Sequence, residues 1–209
     1  MKLIGMLDSP YVRRVAVSLQ LLGLDFDHQS LSVFRTFADF QKINPVVKAP
    51  TLLCDDGETI MDSTLILEYA EALARPRTLM PSALKELQRE LRLIGLALAA
   101  MEKSVQIVYE RGLRPPEKLH EPWVNRITGQ LLAAYGELES ELAARPLGQS
   151  SSGLGQAAVT IGVAWRFTQQ MIPEVVPEDR FLRLTAYSQV LEAVPEFMAA
   201  PHGESTYAK

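Results

Sequence analysis

Three short motifs near the amino terminus decide the fold of the first domain. Residues 9–14 are SPYVRR, residues 44–52 are NPVVKAPTL and residues 61–63 are MDS. The first motif places a serine where a strand gives way to a helix, and the second places a proline at the entrance to a later strand. The third places an acid and a serine where another helix begins. Such turns are suited to hold a small anionic peptide by its backbone and end groups, with its reactive atom beside Ser9.

Short strand-like and helical runs alternate before residue 76. Pro10 suits the first turn of a helix, Gly23 suits its end, and Ser63 is expected to cap the third helix. We predict strands at 2–7, 24–29, 51–54 and 59–61, and helices at 10–22, 35–43 and 63–74. The order β-α-β-α-β-β-α predicts an α/β domain, a small mixed sheet with helices on its faces.

The chain changes character at a linker, residues 76–83, in which Pro76 and Pro81 disfavour both helix and strand. Beyond it the patterns are helical. A stripe of apolar residues from Leu84 to Val108, which also includes Leu91, predicts a long amphipathic helix in a bundle. Further helices are predicted at 123–142, 157–172 and 179–191, with a short last helix from Pro195. The second half therefore predicts an all-α domain.

Composition excludes several classes of function. The 209 residues are 47% hydrophobic and carry a net charge of −4, which argues against a nucleic-acid partner. The longest apolar run, residues 93–101, is too short to span a bilayer, so no membrane partner is expected. Cys54 is the single cysteine and is expected to be a buried, inert thiol; the absence of a disulfide favours the cytoplasm. The three histidines lack a metal-ligand spacing, so no metal is assigned.

The order and spacing of the three motifs resemble those of cytosolic glutathione transferases, and most closely their bacterial serine-type members. The resemblance covers the first 75 residues, and the later helices agree in length and placement. It implies a thioredoxin-like, glutathione-binding domain at residues 1–75, a linker at 76–83 and an all-helical domain at 84–209. It also implies that glutathione is a co-substrate and that the protein is a homodimer.

The resemblance also assigns roles to the motif residues. Ala49, beside Pro50, would pair through its backbone with the cysteinyl unit of glutathione, as one strand pairs with another. Asp62 would meet the ammonium of the γ-glutamyl unit, and Ser63, at a helix amino terminus, would meet its carboxylate. Lys48 is a candidate for the glycine carboxylate. A second candidate for that carboxylate is Arg35, and a solvated surface charge is the alternative interpretation of both.

Ser9 carries the proposed chemistry, because the thiolate of glutathione is the reactive species. Converting a thiol of pKa near 8.5 mostly to thiolate at neutral pH requires ~2.7 kcal/mol. One hydrogen bond to a charged group contributes about 1.5–3 kcal/mol, so a single donor of this kind is sufficient. Ser9 would donate to sulfur; serving only as a helix cap is its alternative role. Tyr11 is the rival donor, but it is better interpreted as a wall of the pocket for the electrophile.

The electrophile pocket is expected between the domains. Its candidates are Tyr11, Met101, Val105, Tyr109 and Trp165. An equally good interpretation places the last four of these residues, Met101, Val105, Tyr109 and Trp165, in the core of the helical bundle. The family opens its sixth helix with a hydroxyl-x-x-acid cap, whereas residues 155–158 of this chain are GQAA. Serines at 150–152 are expected to substitute for that cap.

The function predicted from these residues is transfer of glutathione to an electrophilic small molecule. Two alternatives stay open at this point. One is a non-catalytic interaction protein built on the same fold. The other is a glutathione-dependent isomerase, dehalogenase or peroxidase, because the pocket for the second substrate has no recognisable sequence code.

Overall fold

The computed structural model describes residues 1–207, which form two compact units. The first unit contains residues 1–80 and the segment that begins at Ala193; the second contains residues 81–192. The strands are β1 (Lys2–Ile4), β2 (Asp27–Gln29), β3 (Thr51–Leu53) and β4 (Thr59–Met61). The α-helices are α1 (Pro10–Leu21), α2 (Phe37–Ile43), α3 (Ser63–Leu73), α4 (Leu84–Leu113), α5 (Glu121–Ala144), α6 (Gln156–Met171), α7 (Leu182–Glu192) and α8 (Pro195–Ala199). Single-turn 3₁₀ helices lie at Pro116–Lys118, Ser151–Gly153 and Glu178–Arg180.

The first unit contains the predicted mixed sheet, with strand order β2-β1-β3-β4. Strand β1 runs parallel to β2 and antiparallel to β3, and β3 and β4 form the hairpin expected around Asp56-Gly57. Leu3 on β1 is opposite His28 on β2 and Leu52 on β3, and both leucines are fully buried. The thioredoxin-like α/β architecture expected from the motifs is confirmed.

The first strand is shorter than the predicted 2–7, because the chain turns away at Gly5. Gly5 has a φ of +134°, a conformation that other residues rarely adopt, and its N–H donates to the carbonyl of Gln29. The third helix also begins differently from the prediction. Asp62, and not Ser63, is its cap: the Oδ1 atom of Asp62 accepts the N–H of Thr64 at 2.9 Å.

The carboxyl-terminal segment packs in the first unit, whereas the sequence suggested one helical domain over residues 84–209. A buried arginine of α1 makes the connection. The Nε of Arg13 donates to the carbonyl of Ala200 at 2.7 Å, and its Nη2 donates to that of Phe197 at 3.3 Å. Phe197 is itself fully buried and lies under the Arg13 guanidinium. These residues are more than 180 positions apart, so no local pattern indicates the contact.

The second unit is the all-helical part that the sequence predicted, with α4 packed on α5 and α6. The buried face of α4 is formed by residues such as Leu93, Ile94, Ala97 and Met101. The predicted stripe is therefore displaced around the helix, and Leu91 within it is 54% exposed. Apolar residues lie on more than one side of α4. Their periodicity therefore predicted a helix, but it did not determine which side of that helix packs against α5 and α6.

Helix α6 is capped from another helix. Gly155 precedes it without a side-chain cap, and the N–H of Ala157 donates to the carboxylate of Glu90 on α4 at 2.7 Å. The serines at 150–152 were expected to substitute for the missing cap of α6. They lie instead at the 3₁₀ turn Ser151–Gly153, where Ser150 is at the cap position and makes no side-chain capping hydrogen bond. Burial raises the pKa of Glu90, and the hydrogen bond from Ala157 lowers it in part.

Within residues 1–207, none of the helices combines the length and the apolar character that crossing a bilayer requires.

Candidate functional site

Ser9 lies where the chain passes from β1 into α1. Its N–H donates to the carbonyl of Met6 at 3.1 Å, and its backbone is extended, with φ −71° and ψ 121°. The Oγ atom accepts the N–H of Val12 at 3.5 Å, which is the outer limit of a hydrogen bond. An acceptor role leaves the hydroxyl proton for another partner. Ser9 is half-buried, and the structure places its hydroxyl at the amino terminus of a helix.

The loop that contains Ala49 and Pro50 approaches the β1–α1 turn closely. A Cβ atom at Gly5 would lie 3.1 Å from the Cβ of Ala49 and 2.6 Å from a methyl of Val12. Only glycine permits this approach, which brings Ala49 beside the turn that leads to Ser9. The Ala49-Pro50 peptide bond is cis. Thr51 steadies the loop, because its hydroxyl donates to the carbonyl of Lys48 at 2.7 Å.

Lys48 and Asp62 meet at the amino terminus of α3. The Nζ of Lys48 is 3.8 Å from Oδ2 of Asp62, and both side chains are about half exposed. Asp62 has a φ of +76°, which is uncommon for a residue other than glycine. Ser63 is buried and begins α3. The structure therefore brings a cation, an anion and a helix amino terminus together, the three groups assigned to the two ends of a peptide.

Arg14 is a further residue of this region, and none of the motif assignments involves it. Its Nη1 donates to the hydroxyl of Ser63 at 3.1 Å and to that of Thr64 at 3.2 Å. Its side chain is 2% exposed. Burial lowers the pKa of Arg14 to about 10, while Asp62 and Tyr11 both raise it, so the guanidinium is charged at neutral pH. The sequence offered one signal: a second arginine inside the otherwise apolar helix that follows Ser9.

Arg35 is paired with a carboxylate of the carboxyl-terminal segment. Its Nη2 is 2.7 Å from the carboxylate of Glu204, in the carboxyl-terminal segment, and 3.6 Å from the sulfur of Met6. Asp8, next to Ser9, belongs to the same cluster. Burial raises the pKa of Asp8, and the negative charge of Glu204 raises it further. A hydrogen bond from the backbone of Ser9 and the positive charge of Arg35 both lower it. A ligand carboxylate at Arg35 would therefore compete with Glu204, a residue that the motifs did not single out.

The residues suggested for the electrophile occupy varied environments. Tyr11 is partly exposed, in the first turn of α1. In the second unit, Met101 is fully buried, and Trp165 is 2% exposed, with its ring edge-to-face against the rings of Tyr135 and Phe181. Val105 is half-buried and Tyr109 is 43% exposed. Met101 and Trp165 therefore belong to the core of their unit, and the electrophile pocket stays a prediction.

Two other features of the described residues lie apart from the motifs. A cavity of about 460 Å³ lies between β2 and the end of the carboxyl-terminal segment, lined by residues such as Phe26, His28 and Tyr207. It contains none of the predicted site residues. Across the described part of the chain, His, Cys, Asp and Glu side chains form no group that could hold a metal ion. Cys54 is buried, as expected.

The chain combines a thioredoxin-like unit with an all-helical unit. Residues 3–78 match the family model described as glutathione S-transferase, N-terminal domain. The uncharacterised GST-like protein YibF of Escherichia coli K12 is 25% identical over 173 residues, which are 83% of this chain and 85% of YibF. Residues 3–78 thus match the amino-terminal domain of glutathione S-transferases, and the chain as a whole is similar to proteins of that family.

Solved structures agree over almost the whole chain. A glutathione transferase family member from Pseudomonas fluorescens Pf-5, with bound glutathione, is 28% identical, with a TM-score of 0.80 over 95% of this chain and 97% of that one. A glutathione S-transferase from Methylobacterium radiotolerans, in complex with glutathione sulfonate, has a TM-score of 0.86 over 100% of this chain and 98% of that one. At 23% identity the second likeness shows the fold alone. The sequence-based family assignment and fold are confirmed.

Proposed function

We propose that this protein is a glutathione transferase that holds glutathione on its first unit and stabilises the thiolate with the Ser9 hydroxyl. The observation that carries the proposal is the state of that hydroxyl. The Ser9 Oγ accepts one long hydrogen bond from Val12, Ser9 is the cap of α1, and the turn that leads to it, at Gly5, lies close to Ala49. The hydroxyl proton is thus available to a ligand atom. The neighbouring structure with bound glutathione supports the choice of ligand.

The electrostatics at Ser9 favour an anion. Ser9 is at the amino terminus of α1, and the amino terminus of a helix carries a partial positive charge. A hydroxyl that donates to sulfur adds about 1.5–3 kcal/mol. The sum is sufficient to hold the thiol of bound glutathione mostly deprotonated at neutral pH. Ser9 needs no general base for this role, because it donates a hydrogen bond and forms no covalent bond.

The two ends of glutathione would lie on either side of this sulfur. Ala49 would pair with the cysteinyl backbone, Asp62 would receive the γ-glutamyl ammonium, and Ser63 would receive the neighbouring carboxylate. Lys48 is half exposed and lies 3.8 Å from Asp62, so its Nζ would have to move away from Asp62 to meet the glycine carboxylate at the other end of the peptide. Arg35 can serve the same carboxylate only in exchange for Glu204.

The transfer itself would be attack of the thiolate on an electrophilic carbon, with a leaving group lost or a double bond saturated. Tyr11 is our candidate for one wall of the electrophile site, and Val105 and Tyr109 are candidates from α4. A homodimer, a cytoplasmic location and the lack of nucleic-acid or membrane partners stay predictions. Size-exclusion chromatography with light scattering tests the first of them.

Calorimetric titration with glutathione, followed by an electrophile panel, tests the proposal. We expect the wild type to bind glutathione in the micromolar to millimolar range and to conjugate at least one of an aryl halide, an enone or an alkyl halide. Lys48→Ala and Asp62→Asn should weaken binding, and Lys42→Ala, which removes another exposed lysine, should not. No heat of binding at millimolar glutathione would contradict the enzyme and favour the non-catalytic alternative. Activity on a hydroperoxide or a cis-enone alone would favour the peroxidase or isomerase alternative.

A further inference from the structure

Arg14 connects the first helix to the start of the third. Its guanidinium donates to two hydroxyls that follow Asp62 in sequence, those of Ser63 at 3.1 Å and Thr64 at 3.2 Å. Arg14 is on α1, five residues after Ser9, and its side chain is 2% exposed. A buried charge is costly unless it is hydrogen-bonded to suitable partners. Arg14 thus joins the helix that Ser9 caps to the proposed γ-glutamyl end of the ligand site, which calls for a role beyond filling space.

The chemistry of the two groups fixes the direction of the hydrogen bond. A guanidinium has five N–H donors and no acceptor, so the Ser63 oxygen must be the acceptor. A serine hydroxyl has one proton and two lone pairs. Arg14 uses a lone pair, which leaves the Ser63 proton to point to a different acceptor. A hydroxyl that already accepts from a cation is also a stronger donor, because hydrogen bonds in a chain polarise one another.

The charge of Arg14 acts in the same direction. The guanidinium is protonated at neutral pH and lies behind the amino terminus of α3, whose backbone already favours negative groups. Asp62 is the acidic counterpart: its Oδ1 accepts the N–H of Thr64 at 2.9 Å, and it is close enough to raise the pKa of Arg14. The region thus has a buried cation under Ser63 and an exposed anion one residue earlier. This arrangement matches a group that carries a carboxylate and an ammonium on one carbon.

We propose that Arg14 is a positioning residue for this site. It fixes the Ser63 hydroxyl as a hydrogen-bond donor, and so makes the start of α3 selective for a group that carries an ammonium and a carboxylate on one carbon, as the end of an α-amino acid does. The inference rests on the proposed function and deepens it, because that end group is the γ-glutamyl unit of glutathione. Arg14 does not touch the ligand; it acts through Ser63. The neighbouring Arg13 serves as a natural comparison, since it is equally buried but donates to the carbonyls of Ala200 and Phe197.

The test compares glutathione with cysteinylglycine, which keeps the thiol and the glycine carboxylate but lacks the γ-glutamyl unit. Dissociation constants for both are measured by calorimetry on wild type, Arg14→Met and Arg13→Met. We expect Arg14→Met to weaken glutathione binding about 10-fold to 100-fold, the size of a hydrogen bond to a charged group, and to leave cysteinylglycine binding unchanged. Arg13→Met should lower the melting temperature without changing the ratio of the two affinities.

A double-mutant cycle separates positioning from simple support of the fold. If Arg14 acts through Ser63, then Arg14→Met should cost much less affinity for glutathione in a Ser63→Ala background than in the wild type. Additive losses would overturn the proposal, and so would an Arg14→Met protein that is folded and binds glutathione as the wild type does. If Arg14→Met does not fold, Arg14→Gln replaces it in the same cycle, with the same expected and contrary results.

The two proposals fail in different ways. A wild type that binds neither thiol would contradict the glutathione-binding function itself. A wild type that binds glutathione more tightly than cysteinylglycine, together with an Arg14 variant that keeps the same preference, would contradict only the role of Arg14.

Discussion

Substitution of Ser9 by alanine should raise the pKa of enzyme-bound glutathione by about 1–2 units. The estimate follows from the hydrogen bond that the Ser9 proton is free to donate, which contributes about 1.5–3 kcal/mol to a charged acceptor. One pKa unit corresponds to about 1.36 kcal/mol. At neutral pH the thiolate fraction, and with it kcat/KM, should fall about tenfold to hundredfold. At a pH above the raised pKa, most of the loss should be recovered, because the thiolate then forms without help.

The fold should tolerate this substitution. The Ser9 oxygen accepts from Val12 at 3.5 Å, which is weak for a helix cap, so the loss in unfolding free energy should be at the low end for cap removal, about 0.5 kcal/mol. The measurement is the ultraviolet absorbance of the thiolate, titrated with pH in the complex of each variant with glutathione. Circular dichroism confirms that each variant is folded.

Matched variants make the result decisive. Ser9→Thr keeps a hydroxyl and should retain most of the thiolate at neutral pH. Tyr11→Phe removes the rival donor and should leave the thiol pKa unchanged. A Ser9→Ala enzyme with the wild-type thiol pKa and activity would show that Ser9 does not stabilise the thiolate. If Tyr11→Phe then shifted the pKa instead, the phenol would be the donor.

Three further predictions concern contacts that join distant parts of the chain. Arg13→Met should lower the unfolding free energy by about 3 kcal/mol, since it leaves buried carbonyls of the carboxyl-terminal segment unpaired; an unchanged urea midpoint would contradict this. Burial raises the pKa of Glu90, so the folded protein binds the Glu90 proton more tightly than the unfolded chain does. The stability that this proton contributes is therefore lost as the pH rises from the ordinary glutamate range to the pKa of the folded state. Glu90→Gln, which keeps an acceptor for Ala157, should flatten that fall in a series of urea midpoints from acidic to neutral pH; a parallel series would count against it. Glu204→Gln should strengthen glutathione binding by up to about fivefold, because it releases Arg35 from an exposed ion pair that contributes at most about 1 kcal/mol; weaker binding in calorimetry would contradict a competition between Glu204 and the ligand carboxylate for Arg35.

Local signals predicted most of the first unit. Pro10 begins α1 and Gly23, with φ +71°, follows its end, because a fixed φ and a missing side chain act on the backbone wherever they occur. The β3–β4 hairpin was found from its turn at Asp56-Gly57 for the same reason. The third helix was placed correctly, but its cap was assigned to Ser63. Asp62 and Ser63 are both good caps, and only the backbone geometry distinguishes them.

The order of elements, the resemblance to glutathione transferases and the motif residues could all be found from the sequence, since each depends on short-range backbone chemistry and on spacing along the chain. The long-range contacts could be found only in the folded chain. Arg14 meets Ser63 across 49 residues, Glu90 caps α6 across 67, and Arg13 holds the carboxyl-terminal segment across more than 180. Each of these contacts satisfies a buried polar group, and the partner for such a group is whatever the packed chain brings within hydrogen-bond distance. That proximity is a property of the folded molecule, and neither partner's local sequence contains it.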